Sequence, residues 1–137
     1  MGKDLIYPVP EKIIELNKII LRFLPLKKAD EAKVLSIKKI QECIKECKEN
    51  KGDIHEKATL LLIHLIQKHP FASGNRRTAF LTIKWFLLKN ESYMKLKDDP
   101  KHAKIMLGIR EGFYNQEEIK EWIKHGQIRE FRPSRKS

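Results

Sequence analysis

Two stretches dominate what this chain can fold into: Lys57–Lys68 and Ala79–Lys89 are apolar on nearly every face a helix would present. Leu60, Leu61, Leu62, Ile63, Leu65 and Ile66 crowd the first, and Phe80, Leu81, Ile83, Trp85, Phe86, Leu87 and Leu88 crowd the second. Helices apolar all round belong in the middle of a globule. The two are therefore expected to form a buried central pair. Asp53 is placed to cap the first of them. Pro70 disfavours helical geometry at the residue before it, so that helix should end at His69. The second should begin after Gly74-Asn75. Between them lies a short polar loop, His69-Pro70-Phe71-Ala72-Ser73-Gly74-Asn75-Arg76-Arg77-Thr78.

The rest of the chain reads as helices packed around this pair. Pro10 suits a first helical turn, and Ile13, Ile14, Leu16, Ile19, Ile20, Phe23 and Leu24 follow at helical spacing. Pro25 should stop that helix. Asp30 reads as the N-cap of a second, with a stripe through Val34, Leu35, Ile37, Ile40, Cys43, Ile44 and Cys47, closed by Asn50-Lys51-Gly52. Residues 91–100 form a connector with a short extended piece. A helix over Lys101–Ile109 should end near Glu111-Gly112. Asn115 can cap a last helix carrying Ile119, Trp122 and Ile123, closed by Gly126. The expectation is all-α, a compact bundle of about six helices, with a small β-hairpin flap as an allowed addition. The chain has 137 residues, enough for one domain with its own core. That domain should run from residue 1 to 130, followed by a frayed basic tail over 131–137.

The formal net charge of +11 favours polyanionic partners, whether nucleotides, nucleic acid or an acidic protein. Solubility alone also makes many small Lys-rich proteins basic. Cys43 and Cys47 share one helix face and should pack as small apolar residues, since their spacing is not that of a zinc motif. The first residues carry no apolar signal core, and no apolar run is long enough to span a bilayer. The expected compartment is the cytoplasm.

Charge is concentrated oddly in the loop. Arg76 and Arg77 fall in the first turn of the helix that follows, where the macrodipole disfavours each cation by roughly 0.3–1 kcal/mol. No Asp or Glu lies between Glu56 and Glu91 to neutralise them. The same arrangement favours an anion, because helix N–H groups, dipole and two guanidinium forks converge. Gly74 lets backbone approach that anion, and Asn75 can cap the helix or bond a phosphate oxygen. A phosphate-binding turn over Gly74, Asn75, Arg76 and Arg77 explains all of this together. His69, at the other end of the loop, could accept a proton from a hydroxyl nucleophile. Phe71 would anchor the loop in the core. Each residue has a plainer role when taken alone: a lone histidine is more often structural, paired arginines are usually solvated, and Gly-Asn is a common turn.

In combination, His69-Pro-Phe-Ala-Ser-Gly-Asn-Arg-Arg77 resembles the signature of the Fic/Doc (Fido) family, His-Pro-Phe-x-Asp/Glu-Gly-Asn-Gly/Lys-Arg. The resemblance implies that His69 is the general base for a target hydroxyl and Phe71 the loop anchor. It implies that Gly74 and Asn75 form the anion turn and that Arg77 grips nucleotide phosphates, with ATP as substrate nucleotide. Arg76 stands where nucleotide-transferring Fic enzymes have glycine and Doc (death-on-curing) proteins have lysine. Phe80 stands where Fic enzymes have a second arginine. Both point to the Doc type, which transfers phosphate from ATP to a protein Ser/Thr hydroxyl, a translation factor being one such target. Ser73 occupies the position of the acidic Mg2+ ligand, and a hydroxyl is a much poorer ligand for that ion. No Ser/Thr-x-x-x-Glu-Gly/Asn string, which marks self-inhibited Fic proteins, occurs here. The resemblance then implies control by a separate antitoxin chain.

Three other readings remain open on sequence: a Fic-type AMP transferase, a catalytically weak or inactive Fido scaffold, and, more distantly, a basic helical nucleic-acid-binding protein. The last lacks an aromatic-basic strand motif or a helix-turn-helix signal, so nucleic acid is not the expected main partner.

Overall fold

A computed structural model describes residues 4–23, 32–97 and 99–133. Six helices account for its regular structure: α1 (Pro10–Phe23), α2 (Ile37–Glu49), α3 (Ile54–Lys68), α4 (Asn75–Lys89), α5 (His102–Arg110) and α6 (Gln116–His125). The chain is all-α, as the spacing of its apolar residues predicts. No strand forms among the described residues, so the allowed hairpin flap is absent from them; an isolated antiparallel bridge joins Val34 to Phe71.

Helix α3 is the hub, packing against α2, α4, α5 and α6, while α1 lies across α4 and α2. Its burial follows from its sequence, with Ala58, Leu61, Leu62, Leu65 and Ile66 sealed from water. The Asp53 carboxylate accepts from Glu56 N at 2.9 Å and opens the helix as expected. Helix α4 turns Ala79, Phe80, Ile83, Phe86 and Leu87 inward beside it. In the connector, Met94 and Leu96 are buried while Tyr93, Lys95 and Lys97 are exposed. That two-residue alternation belongs to an extended segment, although no strand partner pairs with it. Asn115 and Glu118 form a complete capping box at the start of α6, and Gly126 closes that helix in the left-handed region at φ 77°.

Helix α2 starts later than its apolar stripe suggests. Leu24, Pro25 and Asp30, expected to close the first helix and open the second, lie outside the described residues. The observed N-cap is Ser36, whose hydroxyl accepts from Lys39 N at 3.2 Å. Val34 and Leu35 are not helical, because residues 33–36 run alongside the polar loop. Leu35 N and Ser36 N donate to Pro70 O at 2.8 and 3.2 Å, and Ala72 N donates to Lys33 O at 2.9 Å. A loop that has left its helix needs partners for its backbone groups, and this segment supplies them.

A second unforeseen contact joins α2 to α3. Lys57, 7% exposed, reaches back from α3 to the last carbonyls of α2. Its Nζ donates to Cys47 O and Lys48 O at 3.2 Å each and also to Asn50 O. A cation there satisfies C-terminal carbonyls and complements the dipole of α2.

The end of the chain is also better anchored than expected. Phe131 is only 4% exposed and packs edge-on against Phe113. Gly108 makes room for it: a Cβ at that position would lie 2.6 Å from Tyr114 Cε2 and 3.0 Å from Phe131 Cγ. Arg129 binds the Glu118 carboxylate and lies 4.1 Å over the Phe113 ring, drawing the segment back onto α5 and α6. The frayed tail therefore does not begin at 131.

Candidate active site

The loop between α3 and α4 is fixed from its interior outward. Helix α3 ends where Pro70 requires, and His69 takes the left-handed conformation at φ 53°, ψ 59°. A non-glycine residue there carries backbone strain of about 1–2 kcal/mol. That conformation turns the chain sharply enough to send Phe71 into the core, where it is 0% exposed. Phe71 is thus the anchor its position implies.

Asn75 holds the anchor. Its Oδ1 accepts from Phe71 N at 2.9 Å, and its Nδ2 donates to Phe71 O at 2.8 Å. The side chain is 6% exposed and committed to these bonds. The sequence suggests a helix cap or a phosphate contact for that side chain; it does not cap α4, because the buried peptide groups of Phe71 take it instead. Its backbone still lines the site. The cap position of α4 falls to Gly74 at φ 77°, and no side chain caps the helix. A Cβ on Gly74 would also sit 3.3 Å from both Asn17 Nδ2 and Leu21 Cδ2.

Asn17 was not foreseen as part of the loop. It sits on the buried face of α1 at 1% exposure. From there its Nδ2 donates to Ser73 O at 2.9 Å and to Thr78 Oγ1 at 3.0 Å, clamping both sides of the turn. An asparagine within the stripe Ile13, Leu16, Ile20 was the signal for it, since a buried amide needs partners.

In front of this frame opens a cavity of about 360 Å³, lined by His69, Ser73, Gly74, Asn75, Arg76 and Arg77, with Ile66, Ala72 and Arg110 completing the wall. The residues singled out in the sequence are thus brought together, apart from Phe71, which lies behind the wall. Arg110 is the addition. It ends α5, and Gln67 of α3 donates to Ile109 O at 3.1 Å beside it, tying that helix end to the end of α3. Phe80 lines no part of the cavity. It lies one turn further along α4, buried in the core, its ring 5.9 Å from that of His102 and 6.3 Å from that of Trp122.

The electrostatics suit a neutral base facing an anion. Burial holds the His69 pKa below its ordinary value, and the positive charges of Arg110, Lys39 and Arg76 lower it further. The imidazole is therefore unprotonated near neutral pH and able to accept a proton. The donor set does not suit a metal held by protein. None of the described lining residues is Asp or Glu, and Ser73 offers only a hydroxyl. Among the described residues no three His, Cys, Asp or Glu side chains come close enough to hold an ion. Cys43 and Cys47 are remote from this chemistry, since burial pushes both thiols up to about 12.

Among known proteins, no curated protein matches the chain. The model of the Fic/DOC family matches residues 10–87. That span is more than half of the molecule, runs from the first residue of α1 through the buried face of α4, and contains His69, Phe71, the turn over residues 74–77 and Asn17 behind it. The chain belongs to the Fic/DOC family and carries a Fido-type domain, which in general terms is that of a protein-modifying transferase.

Proposed function

We propose that the protein transfers the γ-phosphoryl group of ATP to a Ser or Thr hydroxyl of a target protein, as a Doc-type enzyme. The carrying observation is the placement of His69, its pKa lowered, on the same cavity as Arg76 and Arg77. His69 takes the proton of the attacking hydroxyl as its oxygen forms a bond to the γ-phosphorus. The bond from that phosphorus to the β–γ bridging oxygen breaks, ADP leaves, and His69 later returns the proton to solvent. Arg76 and Arg77, with the N-terminus of α4, oppose the negative charge on the transferring group. Arg76 on the cavity wall and Phe80 in the core favour phosphate over AMP transfer, because Phe80 stands where AMP-transferring Fic enzymes carry a further arginine, three residues beyond Arg77. With no self-inhibitory string in the sequence, restraint falls to a separate antitoxin chain, and a translation factor is a fitting target class. No helix among the described residues is long and apolar enough to cross a membrane.

The test is incubation of cell extract with γ-labelled ATP and either the wild-type protein or His69→Ala. A labelled protein band that the variant fails to produce is expected. Equal labelling by both proteins would remove His69 from the mechanism. Ser73 supports a second reading, an inactive scaffold that binds nucleotide without turnover. Under that reading neither the wild-type chain nor Ser73→Asp labels any protein, although both bind ATP.

A further inference from the structure

The charge on the cavity wall is inverted relative to a site that holds its nucleotide through Mg2+. Such sites bring carboxylates to the ion and let the ion meet the phosphates. Here the described lining residues include no carboxylate, while three arginines line one cavity. Two of them, Arg76 and Arg77, come from the first turn of α4. The third, Arg110, arrives from the last turn of α5. Its position is built in, because Gln67 secures the neighbouring Ile109 carbonyl at 3.1 Å. Its field reaches the loop, as Arg110 is the foremost charge acting on His69.

Building on the phosphate-transfer reading above, we propose that the site takes the nucleotide polyphosphate as the free anion, with Arg110 supplying positive charge that a divalent ion supplies in carboxylate-lined sites. A guanidinium can grip phosphate oxygens bidentately and needs no metal between. The positive charges of Arg76 and Arg110 also repel a hydrated divalent ion. Mg2+ bound to the nucleotide cancels part of the charge that the arginines attract. Magnesium should therefore weaken binding, or leave it unchanged, rather than create it.

The test is fluorescence anisotropy of a non-hydrolysable fluorescent ATP analogue with the full chain, in EDTA and in excess Mg2+. Wild-type protein is expected to bind in EDTA at least as tightly as in Mg2+. Arg110→Gln should weaken binding in EDTA about tenfold, ~1.4 kcal/mol, and Arg110→Lys should recover part of the loss. Arg110 is exposed, so both variants should retain the wild-type melting temperature. Wild-type binding that is tenfold or more tighter in Mg2+ would overturn the proposal while leaving the phosphate-transfer reading intact. Unchanged binding by Arg110→Gln would overturn it equally. Absence of binding in both conditions would overturn the phosphate-site reading and this proposal with it.

Discussion

Replacing Asn75 with alanine should release the active loop. The asparagine amide makes two bonds of 2.9 and 2.8 Å to the two backbone groups of Phe71, all of it buried. Alanine leaves the Phe71 N–H and C=O without those partners. An unsatisfied buried polar group costs about 1–3 kcal/mol, and a water entering the gap recovers part of that for at least one of the two. The expected loss is roughly 2–4 kcal/mol, which for a chain this size lowers the melting temperature by roughly 10 °C. Asn75→Asp sharpens the comparison at nearly constant volume. It keeps the acceptor for Phe71 N–H but turns a second oxygen towards the Phe71 carbonyl. Protonation of that carboxyl restores a donor, so its folded-state pKa is raised above the unfolded value. The recovered stability is present at low pH and is lost as pH rises through the folded pKa. Thermal melts followed by far-UV circular dichroism across acid and neutral pH read both effects. Asn75→Ala melting at the wild-type temperature, or Asn75→Asp showing the pH dependence of the wild type, would refute the claim that this amide holds the loop.

Other outcomes follow from the same contacts. Lys57→Met keeps the buried stem but strips the α2 carbonyls of their donor, and should lower stability by about 2–4 kcal/mol, measured by urea denaturation. Gly74→Ala should cost about 1–2 kcal/mol from its left-handed backbone alone, seen as a lower urea midpoint with an unchanged slope. The acid limb of kcat/KM should have its midpoint below the ordinary histidine value of 6.5, since a base must be unprotonated. Arg110→Gln should move that midpoint upward by removing a neighbouring positive charge; a downward shift would contradict the assignment. Cys43 and Cys47 should resist alkylation in the native protein and react only after unfolding.

Local pattern carried the helices and much of the site. The Asp53 and Asn115 caps and the stop at Pro70 are decided within a few residues of sequence, and the helices they bound, α3 and α6, form where expected. What local pattern could not show is pairing across the fold. The start of α2 moves to Ser36 because residues 33–36 satisfy the backbone of a loop more than thirty positions away in sequence. Arg110 looks like any basic residue in a last helical turn until α5 is docked on α3. Asn17 and Lys57 are polar residues on apolar faces, which signals a buried partner without saying which. Asn75, at the start of a helix, reads as a cap, whereas a buried peptide group takes its side chain instead. Phe131 followed by basic residues reads as a loose tail, and only the gap left by Gly108 makes it core.

The chemistry of transfer can be decided on one modified protein. Parallel reactions with ATP labelled at the α- or the γ-phosphate, followed by intact-mass analysis of the labelled target, report which part of the nucleotide crosses to the hydroxyl. Label from the γ position alone, a mass increment equal to one phosphate, and loss of both in His69→Ala are the predicted results. Label from the α position with an AMP-sized increment would contradict them, and would mean that the lack of an arginine at Phe80 does not decide which phosphorus is attacked.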